Sequence, residues 1–154
     1  MENSKVRLEK INVPSFDFNS LAGVIDSIDC ESKVTNHTNT NYILESPFQL
    51  GKNVQKHPIF WPIWEMFEKQ YNQQRYMSDM VLFFSFCAGG RSNAHRDIED
   101  VKIFGLYGKT IYIVEGKEYT VNRGDLLHIP RNALHRAIGI TPRIVGSYGI
   151  FYGR

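Results

Sequence analysis

Three side chains in this sequence have the types and the spacing of a metal site. His95 and Asp97 form a His-x-Asp pair, and His135 follows the first histidine by forty residues. If segment 93–97 is a β-strand, its period-two alternation sends His95 and Asp97 to the same face, where they can share one ion. Two neutral imidazoles and one carboxylate form the 2-His-1-carboxylate facial triad of non-haem Fe(II) sites, which leaves one side of the metal open. The three residues therefore predict a site for a divalent metal, with Fe(II) as the first choice.

Other potential ligands are less well placed. Glu99 shares strand parity with the His-x-Asp pair and could replace its carboxylate if the strand continues. His128 lies close to the second histidine in sequence, and we expect it to be packed and hydrogen-bonded instead of bound to metal. Cys30 and Cys87 each lack a second Cys or a His at ligand spacing. The sequence therefore excludes a disulfide framework and assigns neither cysteine a function.

The elements that must position these residues are short and β-prone. From Met80 onward, runs rich in Val, Ile, Phe and Tyr alternate with turn residues such as Gly and Pro. The hairpin around Glu115-Gly116 is the clearest local signal. Eight strands at this spacing predict a mainly β sandwich or barrel instead of alternating α/β units. The predicted strands are 81–87, 93–97, 101–106, 110–114, 118–122, 125–129, 134–138 and 143–152.

The first half of the sequence is predicted to form helices and loops that cover the barrel. Apolar residues at i, i+3, i+4 and i+7 predict a helix from Ser20, with Ser20 as its N-cap. A second helix is predicted from Pro62, with Trp64, Phe67 and Tyr71 packed against a sheet. The polar, asparagine-rich stretch 33–41 is predicted to be a loop. We expect one domain over 1–154, with 1–79 as the helical and loop cover and 80–154 as the core barrel.

Composition restricts the class of partner. The 154 residues are 42% hydrophobic and carry a formal charge of +2. The basic residues form no stripe that could follow a phosphate backbone, so nucleic acid is not an expected partner. The opening residues MENSKVRLEK are charged where a signal peptide is apolar, and no apolar run approaches the ~20 residues that span a bilayer. We expect a cytoplasmic protein without membrane contact, and the aromatic residues of the first half leave room for a homodimer.

The order of the motifs resembles that of a known superfamily. A glycine pair precedes the His-x-Asp motif, and a Gly-x5-Pro-x4-His segment follows it. Together they resemble the cupin superfamily, and within it the 2-oxoglutarate oxygenases of the Jumonji C and cupin-like type, over roughly 89–152. Simple cupins have a second histidine and a nearby glutamate where this sequence has Asp97 and Val101, so the three-ligand oxygenases are the more similar group. The residues that carry the resemblance are Gly89, Gly90, His95, Asp97, Gly124, Pro130 and His135.

This resemblance implies a fold and an activity. The fold would be a double-stranded β-helix, the cupin or jelly-roll barrel, with the N-terminal helices packed outside. His95, Asp97 and His135 would be both the metal ligands and the catalytic residues, with Fe(II) and 2-oxoglutarate as cofactors. The reaction would be hydroxylation of a small molecule or of a protein side chain, and the sequence does not show which one.

The resemblance also suggests which cation anchors the far carboxylate of 2-oxoglutarate. Many of these oxygenases have a lysine two residues after a glycine on the fourth core strand; here Thr110 takes that position and Lys109 lies one residue earlier. Strand alternation points Lys109 away from the metal unless the strand is bulged. Another branch has an arginine about ten residues after the last histidine, and Arg143 follows by eight. We predict Arg143 as the anchor because its planar fork binds carboxylates bidentately, with Thr110 and Tyr112 facing inward beside it.

Two other functions fit the same residues. A metal-binding cupin without 2-oxoglutarate, such as a small-molecule dioxygenase or an isomerase, would let the substrate itself chelate the metal. A cupin-fold binding module would keep the barrel without turnover. The fold alone does not separate these functions, because one barrel hosts many.

Overall fold

The computed structural model describes residues 5–27, 33–38, 41–46, 57–71, 77–85, 88–89 and 91–151. It contains two helices and ten strands in two antiparallel sheets. The strands are β1 (Arg7–Lys10), β2 (Lys33–Thr38), β3 (Asn41–Ser46), β4 (Met77–Ser85), β5 (Asp100–Tyr107), β6 (Thr110–Val114), β7 (Lys117–Val121), β8 (Asp125–Ile129), β9 (His135–Gly139) and β10 (Arg143–Phe151). The helices are α1 (Phe18–Ser27) and α2 (Trp61–Tyr71).

The two sheets face each other across an apolar interior. The larger sheet has the order β1-β8-β5-β10-β4-β3-β2, and the smaller has the order β7-β6-β9. Residues alternate between the two faces of each strand, so Val101 and Ile103 of β5 join Tyr112 and Val114 of β6 in the interior between the sheets. This architecture confirms the predicted mainly β, jelly-roll type of fold.

The hairpin between β6 and β7 shows why these strands end where they do. Glu115 and Gly116 form a two-residue connection, and both have a positive φ, 47° and 79°. Two consecutive left-handed residues define the turn whose twist matches that of paired strands. Glycine adopts this conformation freely, whereas glutamate does so at a cost in backbone strain.

Helix α2 packs on the outer face of the larger sheet, as predicted, and Val24 of α1 belongs to the same apolar cluster. The ring of Phe67 stacks on Tyr148 of β10 at 4.6 Å between centroids, and Trp64 meets the same tyrosine edge-on at 5.3 Å. The Tyr148 hydroxyl donates a hydrogen bond to Glu68 Oε1 at 2.8 Å, which attaches α2 to the sheet. Neither helix in the described part of the chain is long and apolar enough to cross a membrane.

The N-cap predicted for the first helix was wrong by three residues. Asp17, not Ser20, caps α1, since Asp17 Oδ1 accepts hydrogen bonds from the backbone N–H of Ser20 at 2.8 Å and from its hydroxyl at 3.0 Å. Aspartate is as good an N-cap as serine, and local sequence does not separate two candidates one turn apart.

The first half of the chain also contributes strands, which corrects the prediction of a purely helical and loop cover. β1 pairs with β8, and the stretch 33–41, predicted as a loop, instead forms β2 and the start of β3. β3 pairs in turn with β4 over six residues. The reason is non-local: the open edge of β4 supplies ladder hydrogen bonds that the polar composition of this stretch does not reveal.

Two further differences concern the segments around the predicted metal site. Segment 93–97 is not a strand; its backbone pairs with β9 at the isolated bridge His95↔His135, and a second bridge, Arg91↔Ile138, lies just before it. β4 begins at Met77, four residues before its predicted start. Cys30 and Cys87, to which no function was assigned, lie outside the described residues.

A lysine is buried on the outer face of the larger sheet. Lys102 of β5 is 2% exposed, and its ammonium lies 5.1 Å from the centroid of the Tyr71 ring on α2. Burial, with a smaller contribution from Arg7, lowers the pKa of Lys102 from 10.5 to about 8, while Glu9 and Asp100 act in the opposite direction. Between these two pH values the unfolded chain carries a proton that the folded chain does not.

Stability is therefore expected to rise with pH in this window. Because the unfolded state binds more protons, the lysine contributes an increase of about 2 kcal/mol in the free energy of unfolding between pH 8 and pH 9.5. Lys102→Met should remove that increase, since methionine has no proton to lose. Urea unfolding of both proteins at several pH values measures the difference. If the free energy of unfolding changes with pH in the same way in both proteins, the pKa of Lys102 is not lowered.

Candidate metal centre

The structure brings His95, Asp97 and His135 together. His95 Nε2 lies 3.6 Å from Asp97 Oδ1, and His135 Nε2 lies 3.3 Å from Asp97 Oδ2. The two imidazole rings are 4.3 Å apart between centroids, and one ligand atom from each residue falls within 4.8 Å of the others. A single ion between them would meet all three ligand atoms from one side, which is the arrangement of a facial triad.

Both histidines are held in the tautomer that a metal requires. Nδ1 of His95 lies 2.7 Å from the carbonyl oxygen of Asn93, and Nδ1 of His135 lies 2.9 Å from that of Ala133. A carbonyl only accepts, so each Nδ1 carries a hydrogen, and Nε2 is the ring atom that faces the carboxylate and can bind a metal once it has no proton. Metal-bound histidines have this second hydrogen bond as a rule, and the donor set fits a divalent first-row cation.

The electrostatics of the triad suit exchange of a proton for a metal. The hydrogen bond from His135 lowers the pKa of the Asp97 carboxyl, although partial burial acts in the opposite direction. Burial also acts to lower the pKa of His135, but hydrogen bonds to Asp97 and to the Ala133 carbonyl outweigh it and raise that pKa. A cation that binds here takes the place of the His135 proton, so binding releases a proton.

The ligands reach this arrangement without a regular strand on one side. The backbone N–H of His95 donates to the His135 carbonyl at 3.0 Å, and the N–H of His135 returns the bond at 2.9 Å. Asn132, which has φ 64°, donates from its N–H to the Asp97 carbonyl at 2.8 Å. The side chains of His95 and Asp97 therefore converge as predicted, although bridges to β9 and the turn before it position them instead of strand alternation.

The triad lines a cavity of about 170 Å³ between the two sheets. The His95 side chain is 46% exposed and that of His135 only 6%, so His95 is the ligand nearer the surface. Apolar side chains, among them Val101, Ile103 and Ala137, form much of the wall. The volume suits a small molecule, because it is below the range of pockets that hold drug-sized ligands.

Arg143 provides the cationic group in the same cavity. Its side chain is buried, and its Nε–H points at Ser85 Oγ, 3.4 Å away on the neighbouring strand. Burial lowers the pKa of Arg143, while its hydrogen bond with Tyr112 acts the other way. Burial likewise raises the pKa of Tyr112. An arginine at this depth stays charged and needs an anionic or strongly polar partner.

Thr110 shares the inner face of β6 with Tyr112. Both side chains are buried, in keeping with the alternating burial of that strand. Thr110 Oγ1 has no hydrogen-bond partner among the residues that the structure describes. A buried hydroxyl without a partner is costly, but Thr110 is not among the residues that line the cavity, so the structure does not bring it to the triad.

Several other candidate residues lie elsewhere. Lys109 is exposed and does not line the cavity, so the structure does not bring it to the triad. Glu99 is absent from the group of potential ligands around His95. His128 is buried on β8 opposite Arg7 and Lys102, away from the triad, which agrees with its prediction as a packed histidine.

Two serines at the site escaped the sequence analysis. Ser85 lies opposite Arg143 on β4, and Ser92 lines the cavity while its Oγ accepts a hydrogen bond from the Ala137 N–H at 3.0 Å. A signal for the first was present, because a serine interrupts the apolar run before Phe86. The second follows a glycine pair and has no local signal.

Comparison with known proteins gives similarity in structure alone. No model of a known protein family matches the sequence, and no curated protein matches it. YcfD, a ribosomal oxygenase from Escherichia coli, matches with a TM-score of 0.70 and 16% identity over 97% of this chain and 48% of that chain. YcfD in complex with cobalt and 2-oxoglutarate matches with a TM-score of 0.69 and 16% identity over 97% and 49%. KdgF from Halomonas sp. matches with a TM-score of 0.53 and 12% identity over 82% and 92%.

These matches define the class of fold. The chain has the double-stranded β-helix fold of the cupin superfamily, as its motifs suggested. It spans about half the length of YcfD. Identities of this size establish the fold and leave the activity to be argued from the site.

Proposed function

We propose that this chain is an Fe(II)- and 2-oxoglutarate-dependent oxygenase that hydroxylates its substrate. The observation that carries the proposal is the shared cavity, whose lining includes the His95–Asp97–His135 triad and the buried cation Arg143. A linear dicarboxylic acid with a 2-oxo group matches both features. Its 2-oxo acid end can chelate the metal, and its far carboxylate can meet the guanidinium.

The residues of the chain have distinct roles in this proposal. His95, Asp97 and His135 would hold Fe(II) through Nε2, a carboxylate oxygen and Nε2, leaving the opposite coordination face free. Bound Fe(II) and 2-oxoglutarate would together activate dioxygen for insertion into a C–H bond, with carbon dioxide and succinate as products. Apolar wall residues such as Val101 and Ile103 keep water from the reacting centre.

The far end of the cavity would bind the second carboxylate of the cosubstrate. The Arg143 guanidinium supplies the charge, and the Tyr112 hydroxyl on the inner face of β6 supplies a hydrogen bond. These groups are fixed by packing before any ligand arrives, which lowers the entropy cost of binding. Similarity of fold to YcfD in complex with cobalt and 2-oxoglutarate supports the choice of 2-oxoglutarate as cosubstrate.

The primary substrate would enter on the exposed side of His95. This side chain is 46% exposed, so the metal that it would hold lies within reach of the surface. The opening admits either a small molecule or a side chain presented by another protein, so the proposal specifies the reaction and not the substrate.

A metal-binding cupin without 2-oxoglutarate is the second candidate. The small volume of the cavity favours it in one respect, because a compact acid could serve as substrate, with its carboxylate on Arg143 and the metal as its other contact. The two candidates differ in whether 2-oxoglutarate chelates the metal.

Visible absorption under nitrogen distinguishes them. Adding 2-oxoglutarate to the Fe(II)-loaded protein is expected to produce the weak charge-transfer band of a chelated 2-oxo acid. Succinate, which has the carboxylates but no 2-oxo group, is the matched control and should give no band. Binding of Fe(II) without any band on addition of 2-oxoglutarate would reject the proposed cosubstrate and favour the second candidate.

A further inference from the structure

The two chain segments that deliver the metal ligands have little regular structure to align them. His95 and Asp97 come from a segment that meets β9 only through isolated bridges, and His135 is the first residue of β9. Triad geometry, on which metal affinity depends, requires these segments to stay in register within a fraction of an ångström. The paired backbone hydrogen bonds between His95 and His135 align the two segments at one point, and a group outside the triad can fix their spacing further.

Glu115 makes that connection through one carboxylate oxygen. Its Oε1 accepts a hydrogen bond from Arg96 Nη1 at 3.0 Å and another from the backbone N–H of Leu134 at 2.6 Å. Arg96 stands between His95 and Asp97 in the sequence, and Leu134 immediately precedes His135. One oxygen atom thus joins the segment of two ligands to the segment of the third.

The same guanidinium strengthens the connection. Arg96 Nη1 also donates to the carbonyl oxygen of Asn132, whose N–H donates to the Asp97 carbonyl at 2.8 Å. Three hydrogen bonds, together with the covalent backbone from Asn132 to Leu134, therefore form a closed ring that includes Arg96 and Glu115. The ring contains no metal ligand side chain, so it can be altered while the ligands stay in place.

The backbone of Glu115 adopts a conformation that glutamate disfavours. Its φ is 47°, in the left-handed region, in a two-residue turn where asparagine, aspartate or glycine is preferred. Its N–H donates to the Leu134 carbonyl at 2.8 Å. The backbone and the side chain of Glu115 therefore both contact Leu134. A strained residue that the surrounding structure maintains is a reason to look for a role beyond the turn.

We propose that Glu115 is a positioning residue of the metal centre, acting as a clamp that sets the distance between its two ligand-bearing segments. The clamp rests on the metal site of the proposed function but not on the cosubstrate. The Arg96–Glu115 ion pair is itself half-exposed, and such pairs contribute little to stability. Its effect should therefore be seen in metal affinity instead of folding.

Co(II) titration of the metal-free protein tests the clamp. Glu115→Gln keeps an acceptor for the Leu134 N–H but removes the charge that holds Arg96, and it should weaken Co(II) binding about tenfold, the effect typical of outer-shell partners. Glu118→Gln, an exposed carboxylate on β7, is the matched control and should bind as the unmutated protein does. The visible spectrum of bound Co(II) should change for Glu115→Gln alone, since it reports the geometry of the ligands.

A glycine variant separates positioning from stability. Glu115→Gly relieves the left-handed strain, so its metal-free form should unfold at the wild-type temperature or above, while its Co(II) affinity falls as in Glu115→Gln. Arg96→Gln should weaken binding similarly, and the double variant with Glu115→Gln should lose little more. Unchanged affinity in both Glu115 variants would overturn the clamp alone. Absence of Co(II) binding by the unmutated protein would overturn the metal site together with the clamp.

Discussion

Asp97→Ala is expected to abolish binding of a divalent metal without unfolding the protein. The carboxylate is the only anionic ligand of the triad in the structure, and it faces both imidazoles at 3.3 to 3.6 Å. Its loss leaves two neutral ligands on an open site, so the fall in affinity should exceed the roughly 10–100-fold effect of outer-shell changes. Asp97 is half-buried and outside any strand, so its removal leaves both sheets intact.

Metal content after loading with Fe(II) or Co(II) and desalting measures this effect. The unmutated protein should retain about one ion per chain, and Asp97→Ala and His95→Ala should retain none. Glu99→Ala is the matched control, because that carboxylate lies two residues away and outside the triad. Equal metal content in all of these proteins would show that the triad is not the site.

Arg143→Ala is expected to weaken 2-oxoglutarate binding far more than Lys109→Ala does. Arg143 is a buried cation in the cavity, whereas Lys109 is exposed. Truncating one partner of a buried, hydrogen-bonded charge pair costs about 2–5 kcal/mol, which corresponds to some thirty-fold to several-thousand-fold in affinity. Lys109→Ala removes one positive charge from the surface, outside the cavity, and should have almost no effect on 2-oxoglutarate binding.

Titration of 2-oxoglutarate into the Fe(II)-loaded variants under nitrogen makes the comparison. Metal content should be the same in both variants, since neither residue belongs to the triad. If loss of Arg143 unfolds the protein, Arg143→Lys provides the alternative, because it keeps the charge and loses the bidentate fork. A larger effect of Lys109→Ala would show that Lys109, and not Arg143, binds the far carboxylate of 2-oxoglutarate.

The sequence predicted that His95, Asp97 and His135 lie together better than it predicted the elements around them. The chemistry of a facial triad restricts both residue types and order, so His95, Asp97 and His135 could be selected without knowing the fold. The reasoning for the first two was partly wrong, since segment 93–97 is not a strand. The side chains converge all the same, because paired backbone hydrogen bonds between His95 and His135 replace the ladder.

What could not be predicted depended on contacts between distant segments. The β2–β3 hairpin was missed because its stability comes from the edge of β4, and polar strands give a weak local signal. Glu115 was recognised as a turn residue, yet its contacts with Arg96 and Leu134 each span nineteen residues. A residue whose role depends on such long-range contacts cannot be identified from a local sequence motif.

The most direct test of the metal centre is anomalous X-ray scattering from crystals of the Co(II)-loaded protein. The structure predicts one strong peak within roughly 2.0–2.2 Å of His95 Nε2, an Asp97 carboxylate oxygen and His135 Nε2, with both Nδ1 atoms still bonded to backbone carbonyls. A fully occupied cobalt site elsewhere in the protein, with no peak among these three residues, would contradict the account.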